Sequence, residues 1–384
     1  MGKRIMRYVC CIVAAAVFLA GCIVAEVVKY EYVLQTDTCN DRRQAVVVNT
    51  DEMSLTEGAY NNRCQSVIAN PDDTSLLADT APIYEDENYV CYEDRIIRRQ
   101  GCDIKNAGTI SDIIAGLCEL CPSIEKAYVI PIPHRIVVEA GYEDVKESYE
   151  QYMATLEEDL PEKAYLVDTM KALQDHSEEY IFFRTEDAWT ARGAYYGMQE
   201  LCKMMQRDCI PLNEYEEYVY NTFLGSLALE EDLRNYIPSD IPYDSLYYYL
   251  LPGTVDDAEV FDIDSIGKKV SYKKPLITSS GTNLGAFIEG GYTRAIVEGE
   301  SHDKERADEK IMLICDESGK LLAPYLKDYY DGVYVVNIRE DYEFIDDIQE
   351  IVEEHNISEM VIAQSVIEME AKGHYRALSK VLER

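Results

Sequence analysis

Tyr180-Ile181-Phe182-Phe183-Arg184-Thr185-Glu186-Asp187-Ala188-Trp189-Thr190-Ala191-Arg192-Gly193-Ala194-Tyr195-Tyr196 decides the fold of this chain. It opens on four apolar residues that read as a strand over 180–183, crosses two acids, and runs into a helix predicted from Thr190 to about Met205. Thr190 offers a side-chain oxygen for an N-cap, and Ala194, Met198, Leu201 and Met205 fall on one face at helical spacing. A strand leading into a helix is the unit from which parallel sheets are built.

Outward from this stretch the rhythm repeats. Ile311-Met312-Leu313-Ile314-Cys315 is an apolar run of strand length that leads into Asp316-Glu317-Ser318-Gly319 and on to Pro324. Further strands are predicted near 127–132, 333–338 and 359–363, with helices near 143–156, 342–354 and 371–383. The alternation predicts an α/β fold: a doubly wound parallel sheet with helices on both faces. Residues 207–300 break the rhythm with Pro, Gly and Tyr clusters, notably Tyr243-Asp244-Ser245-Leu246-Tyr247-Tyr248-Tyr249-Leu250-Leu251-Pro252-Gly253, and read as a β-rich insertion at the mouth of a cleft. Residues 30–84 carry turn signals at Asn70-Pro71, Asp72-Asp73 and Ala81-Pro82, consistent with a stalk or small extension ahead of a main domain over 85–384.

The first stretch resembles the signature of the DHHW family, which is similar to the alginate O-acetyltransferase branch of the SGNH hydrolases. That signature reads Tyr-x-Arg-Thr-Asp-His-His-Trp-Thr-x-x-Gly-Ala-Tyr-Tyr. Arg184, Thr185, Trp189, Thr190, Gly193, Ala194, Tyr195 and Tyr196 keep its scaffold. The resemblance implies that an Asp and the second His orient and activate a serine nucleophile, but Glu186 and Ala188 stand at those positions. The 311–326 stretch resembles the family's strand into Asp-Ser-Tyr-(Gly/Ala)-Asn and on to Pro-x-Leu. Counting back from Pro324 puts Glu317 at the nucleophile and Ser318 one residue out of register, a candidate nucleophile if the turn slips. Tyr329 to Arg339 is similar to the strand that follows, and Asn88 to Arg98 and Ala127 to Pro133 fit the pattern loosely. Phe287-Ile288-Glu289-Gly290-Gly291-Tyr292 resembles a Gly-Gly-Asn turn that supplies an oxyanion donor, with Gly291 where the asparagine would be.

An active member of this class needs a serine nucleophile, a histidine base, an acid that orients it and oxyanion donors. None stands here in standard form. Of the five histidines, His134 is the best placed, because it follows a strand predicted to reach the same sheet edge. The replacements are themselves charged: Glu186, Asp187, Asp316 and Glu317 are expected to converge on one cleft, as plain solvated acids, as a site for a divalent cation such as calcium, or as unconventional catalytic acids. No other cofactor is expected.

Acidic residues outnumber basic ones 72 to 36, a formal charge of −36, which excludes nucleic acid as a natural partner because its phosphates would be repelled. The 31 tyrosines suit a glycan-handling surface and suit ordinary strands and cores equally. Nine of the twelve cysteines follow Cys22, and Cys118-Glu119-Leu120-Cys121 reads as a local disulfide or two buried thiols rather than a zinc or redox motif.

At the N-terminus, Lys3, Arg4 and Arg7 precede an uncharged apolar run from Tyr8 to Ala25, so residues 1–29 read as a membrane anchor with the rest of the chain outside the cytoplasm. Leu19-Ala20-Gly21-Cys22 resembles a bacterial lipobox, which makes Cys22 the candidate lipid anchor; an uncleaved helix is the other reading. Taken with the resemblance, these features point to a catalytically degenerate protein acting around envelope polysaccharide O-acetylation, binding a glycan or a membrane acyltransferase partner. The alternatives are an active carbohydrate esterase or O-acetyltransferase using Ser318 or non-standard acids, and a purely structural envelope protein. On fractionation the full chain is expected with the membrane; its recovery in the soluble cytoplasm would refute the anchor, and acyl labelling lost in Cys22→Ala would identify it as lipid.

Overall fold

The structure, a computed structural model, describes residues 81–139, 141–254, 257–263, 269–277, 283–288, 294–302, 304, 308–337 and 348–370. The anchor, Cys22 and nearly all of the stalk lie outside the described residues, and no helix among the described residues is long and apolar enough to cross a membrane.

In chain order the strands are β1 (Tyr84–Glu85), β2 (Tyr89–Cys91), β3 (Ile96–Arg98), β4 (Lys126–Ile132), β5 (Ala164–Leu166), β6 (Glu216–Phe223), β7 (Asp244–Leu250), β8 (Asp257–Ile263), β9 (Lys269–Pro275), β10 (Arg294–Glu298), β11 (Lys310–Cys315), β12 (Gly332–Asn337) and β13 (Glu359–Ser365). The helices are α1 (Ile104–Leu120), α2 (Arg135–Val138), α3 (Glu143–Asp159), α4 (Met170–Asp175), α5 (Ala191–Met205), α6 (Ala323–Leu326), α7 (Ile348–Glu354) and α8 (Val366–Glu370).

The large sheet has the order β5-β4-β13-β11-β12-β10-β8-β9. Its first five strands are parallel, and four of them, β4, β13, β11 and β12, are predicted ones, while β5 was not singled out. Ile311 to Cys315, Val333 to Val336 and Met360 to Ile362 are buried throughout, as continuous apolar runs are when both faces of a sheet are covered. The remaining three strands are antiparallel, so the sheet is mixed and the expectation of an all-parallel sheet is corrected. These three come from the predicted insertion. The short connection between β8 and β9 favours antiparallel neighbours, and the group extends the sheet beyond β12 rather than standing apart from it. Only β6 and β7 form a separate two-stranded ribbon, and β1 to β3 form a small sheet of their own.

From β4 the chain moves to β5 on one side, and from β11 it moves to β12 on the other, with β13 lying between β4 and β11. The winding direction thus reverses beside β13. The carboxyl ends of strands at such a reversal leave a crevice.

The stretch 180–196 does not begin as a strand. Phe182 and Trp189 make an isolated antiparallel bridge, Phe183 N–H donates to Ala188 O at 3.1 Å, and Thr190 N–H donates to Ile181 O at 2.9 Å. The apolar residues are buried in a loop that folds on itself, so their backbone groups are satisfied locally rather than by a sheet. The helix follows as predicted: Thr190 caps α5 and accepts from Gly193 N–H at 3.3 Å. Gly193 is required sterically, because a Cβ there would collide with the carbonyl of Ile181 and the side chain of Trp189.

One carboxylate holds this loop. Asp244, at the start of β7 and fully buried, accepts from Tyr180 Oη at 2.6 Å, Arg184 N at 2.5 Å, Thr185 N at 2.8 Å and Thr185 Oγ1 at 2.5 Å. Burial pushes its carboxyl above the usual carboxylate range, and these four donors pull it back. An amide at this position turns its NH₂ toward two of the donors. Asp244→Asn is therefore expected to cost about 3 kcal/mol of stability in urea titration; an unchanged midpoint would show that the loop holds its shape without the carboxylate.

Candidate functional site

The crevice at the reversal is closed by four segments. Pro133 and His134 follow β4, Ser318 follows β11, Ser365 ends β13, and Asp187, Ala188 and Trp189 come from the loop before α5. Its volume is about 10 Å³, room for about one water. The two sequence islands meet here directly: Trp189 Nε1–H donates to Ser318 O at 2.8 Å.

Ser318 is buried and begins the turn into Gly319–Leu322. Asp316 fixes that turn, its Oδ1 accepting from Gly319 N at 2.7 Å and its Oδ2 from Ser365 N at 2.7 Å. Gly319 packs so closely on the Ala363 carbonyl that a Cβ would collide with it. Ser318 therefore occupies the crevice wall, while Glu317 faces Lys320 Nζ, with which it forms an ion pair, and Asn337 Nδ2 at 2.8 Å.

The other acids are also engaged. Glu186 accepts from Ser226 N at 2.8 Å and Ser226 Oγ at 2.6 Å, and Asp187 pairs with Arg98 Nε at 2.8 Å. Of Glu186, Asp187, Asp316 and Glu317, expected to converge on one cleft, Asp187 alone is among the residues that line the crevice. Among the described residues no group of three His, Cys, Asp or Glu side chains is arranged to hold a metal ion. Sequence adjacency put these acids near one strand edge, but backbone amides and basic side chains from distant segments draw them apart. Gly291 lies outside the described residues.

His134 is the histidine in the crevice. It is 4% exposed, and neither Nδ1 nor Nε2 has a hydrogen-bond partner. Burial, and then the nearby Arg98 guanidinium, push its imidazole down to about 3, so it is neutral at physiological pH. Ala188, 9% exposed, shares the crevice with it. Arg98, Asn337, Lys320, Ser226 and Asp244 were not singled out from the sequence. Arg98, Lys320 and Asn337 lie in stretches that fitted the family pattern and Asp244 in the tyrosine-rich cluster, but only the fold brings them and Ser226 to these partners.

Residues 150–336 match the family model described as DHHW protein. Over this region the chain is similar to the DHHW family. A DHHW family protein from Eubacterium siraeum has a similar structure, with 18% identity and a TM-score of 0.60, covering 77% of this chain and 96% of that one. So does PatB1 of Bacillus cereus, solved with a sulfonyl adduct, at 12% identity and a TM-score of 0.58 over 74% of this chain and 97% of that one. At these identities what is shared is the fold. No curated protein matches the sequence.

The neutral His134 makes stability pH-dependent. In the folded chain it takes a proton only near pH 3, whereas an unfolded histidine takes one near 6.5, so the unfolded state binds the extra proton between these values. Its contribution is fully present above pH 6.5 and is lost as pH falls, about 3 kcal/mol by pH 4.5. Between pH 7.5 and 4.5, wild type is expected to lose about 3 kcal/mol more than His134→Phe in urea titrations. Parallel losses in both proteins would mean that His134 protonates freely in the fold.

Proposed function

We propose that this chain serves at the cell envelope, in polysaccharide O-acetylation, as a glycan- or partner-binding subunit on a DHHW scaffold without its acyl-transfer triad. The observation that carries this reading is Ala188. It lines the crevice at the place where the DHHW signature has its second histidine, and a methyl group moves no proton. Glu186, at the signature's aspartate, is held by Ser226, and Glu317, at the nucleophile, is held by Lys320 and Asn337. A crevice of about 10 Å³ also lacks room for an acetyl group. The envelope and polysaccharide parts rest on the resemblance and on the basic and apolar N-terminal sequence.

A second reading has one observation in its favour: Ser318 and His134 line the same crevice, and the imidazole has no other partner. It makes the chain an esterase or acetyltransferase with a base displaced from its usual place. Against it, an imidazole held down to about 3 is a weak base for a serine proton, and the pair has no acid to orient it.

Because PatB1 has been solved with a sulfonyl adduct, a sulfonyl fluoride is a fitting probe. The full chain is expected to show no adduct by intact mass, and no acetyl-ester hydrolysis above a Ser318→Ala control. Labelling and turnover lost in both Ser318→Ala and His134→Gln would overturn the binding-subunit reading and establish the second.

A further inference from the structure

Seven cysteines lie among the described residues, and two of them differ from the rest. The C-terminal end of α5 reverses sharply. Gln206 adopts a left-handed conformation with φ of 56°, and Arg207 N–H returns to Cys202 O at 2.9 Å. This reversal carries Cys209 back to the helix end, where its thiol and that of Cys202 are hydrogen-bonded to one another. Cys202 is fully buried and Cys209 half-buried. The segment is fixed in place, because Ile210 N–H donates to Tyr329 Oη at 2.7 Å.

The environment separates the two sulfurs chemically. The hydrogen bond from Cys202, with further help from Tyr329, Tyr195 and Lys203, holds the Cys209 thiol below the usual range, and the same bond pushes Cys202 up. Elsewhere burial raises the thiols, to about 11 at Cys91 and Cys121 and also upward at Cys118 and Cys315. The predicted Cys118 and Cys121 pair is two buried thiols.

We propose that Cys202 and Cys209 form a redox-active dithiol that an external disulfide converts into an internal one, clipping the end of α5 to the segment that follows it. Cys209, the accessible sulfur, attacks as the thiolate on a disulfide RSSR; a Cys209–SR bond forms and RS⁻ leaves. Cys202 then gives its proton to a departing RS⁻, attacks Cys209 Sγ and expels the second RS⁻, which takes the proton released earlier by Cys209. Two protein thiols are oxidised to one disulfide, and RSSR is reduced to two RSH. The buried position of Cys202 suits it to resolve the mixed disulfide from behind, where no free thiol reaches.

The test uses the full chain, equilibrated in mixtures of reduced and oxidised glutathione, acid-quenched, alkylated and digested with trypsin. Cleavage after Lys203 and Arg207 leaves the two cysteines on different peptides, so their disulfide appears as a cross-linked mass. The cross-link is expected to form as the mixture becomes oxidising and to vanish on reduction, while Cys91 and Cys315 remain thiols. Cys202→Ser is expected to trap glutathione on Cys209, and Cys209→Ser to give neither product. A wild-type chain in which both cysteines stay alkylated throughout the titration would overturn the proposal, as would glutathione retained on wild-type Cys209 without transfer to Cys202.

Discussion

The hydrogen bond from the Trp189 indole to the Ser318 carbonyl joins the two halves of the site. Trp189 is fully buried, and covering a side chain of that size contributes on the order of 5 kcal/mol. Such a ring can be buried only if its N–H finds an acceptor, and the turn after β11 supplies one. Gly197 leaves the space on α5 that the ring occupies, since a Cβ there would collide with it, and a Cβ at Gly193 would collide with the Trp189 Cβ. The loop before α5 and the turn that carries Ser318 are therefore positioned by packing, whatever chemistry the crevice performs.

The residues that keep the signature's scaffold are held by packing and hydrogen bonds of the same kind. Thr185 accepts from Gly225 N at 2.7 Å and donates to Asp244, Thr190 caps α5, and Gly193 and Trp189 pack together. Each has a mechanical duty that persists without catalysis. Beside them, Glu186 accepts from Ser226, and Ala188 lines the crevice with a methyl group that needs no partner.

Much of the fold was legible because its parallel strands are continuous apolar runs, a pattern that only burial on both faces requires. Strands β8 and β9 were less so. Their sequences, Asp257-Ala258-Glu259-Val260 and Val270-Ser271-Tyr272-Lys273, mix polar residues into a sheet edge, which reads equally well as a surface insertion. Tyr180 to Phe183 misled in the opposite sense, since four large apolar residues in a buried loop look like a strand until their backbone partners are known. Of the site, His134 and Ser318 were legible from their positions after apolar strands. The separation of the acids was not, because Ser226 lies 40 residues from Glu186 and Arg98 lies 89 from Asp187.

The acids also show how a chain with 72 acidic residues accommodates carboxylates near a sheet edge. Two like charges brought together must protonate, recruit a cation or find separate donors. Here each acid has donors of its own: Asp316 takes two backbone amides, Asp187 a guanidinium, Glu317 an ammonium and an amide, and Glu186 a serine. Once each carboxylate is saturated by its own donors, no acid is left to orient His134, and the imidazole remains neutral and unpartnered in the crevice. The donors that hold the acidic turns are thus the same groups that leave the His134 imidazole without a carboxylate partner.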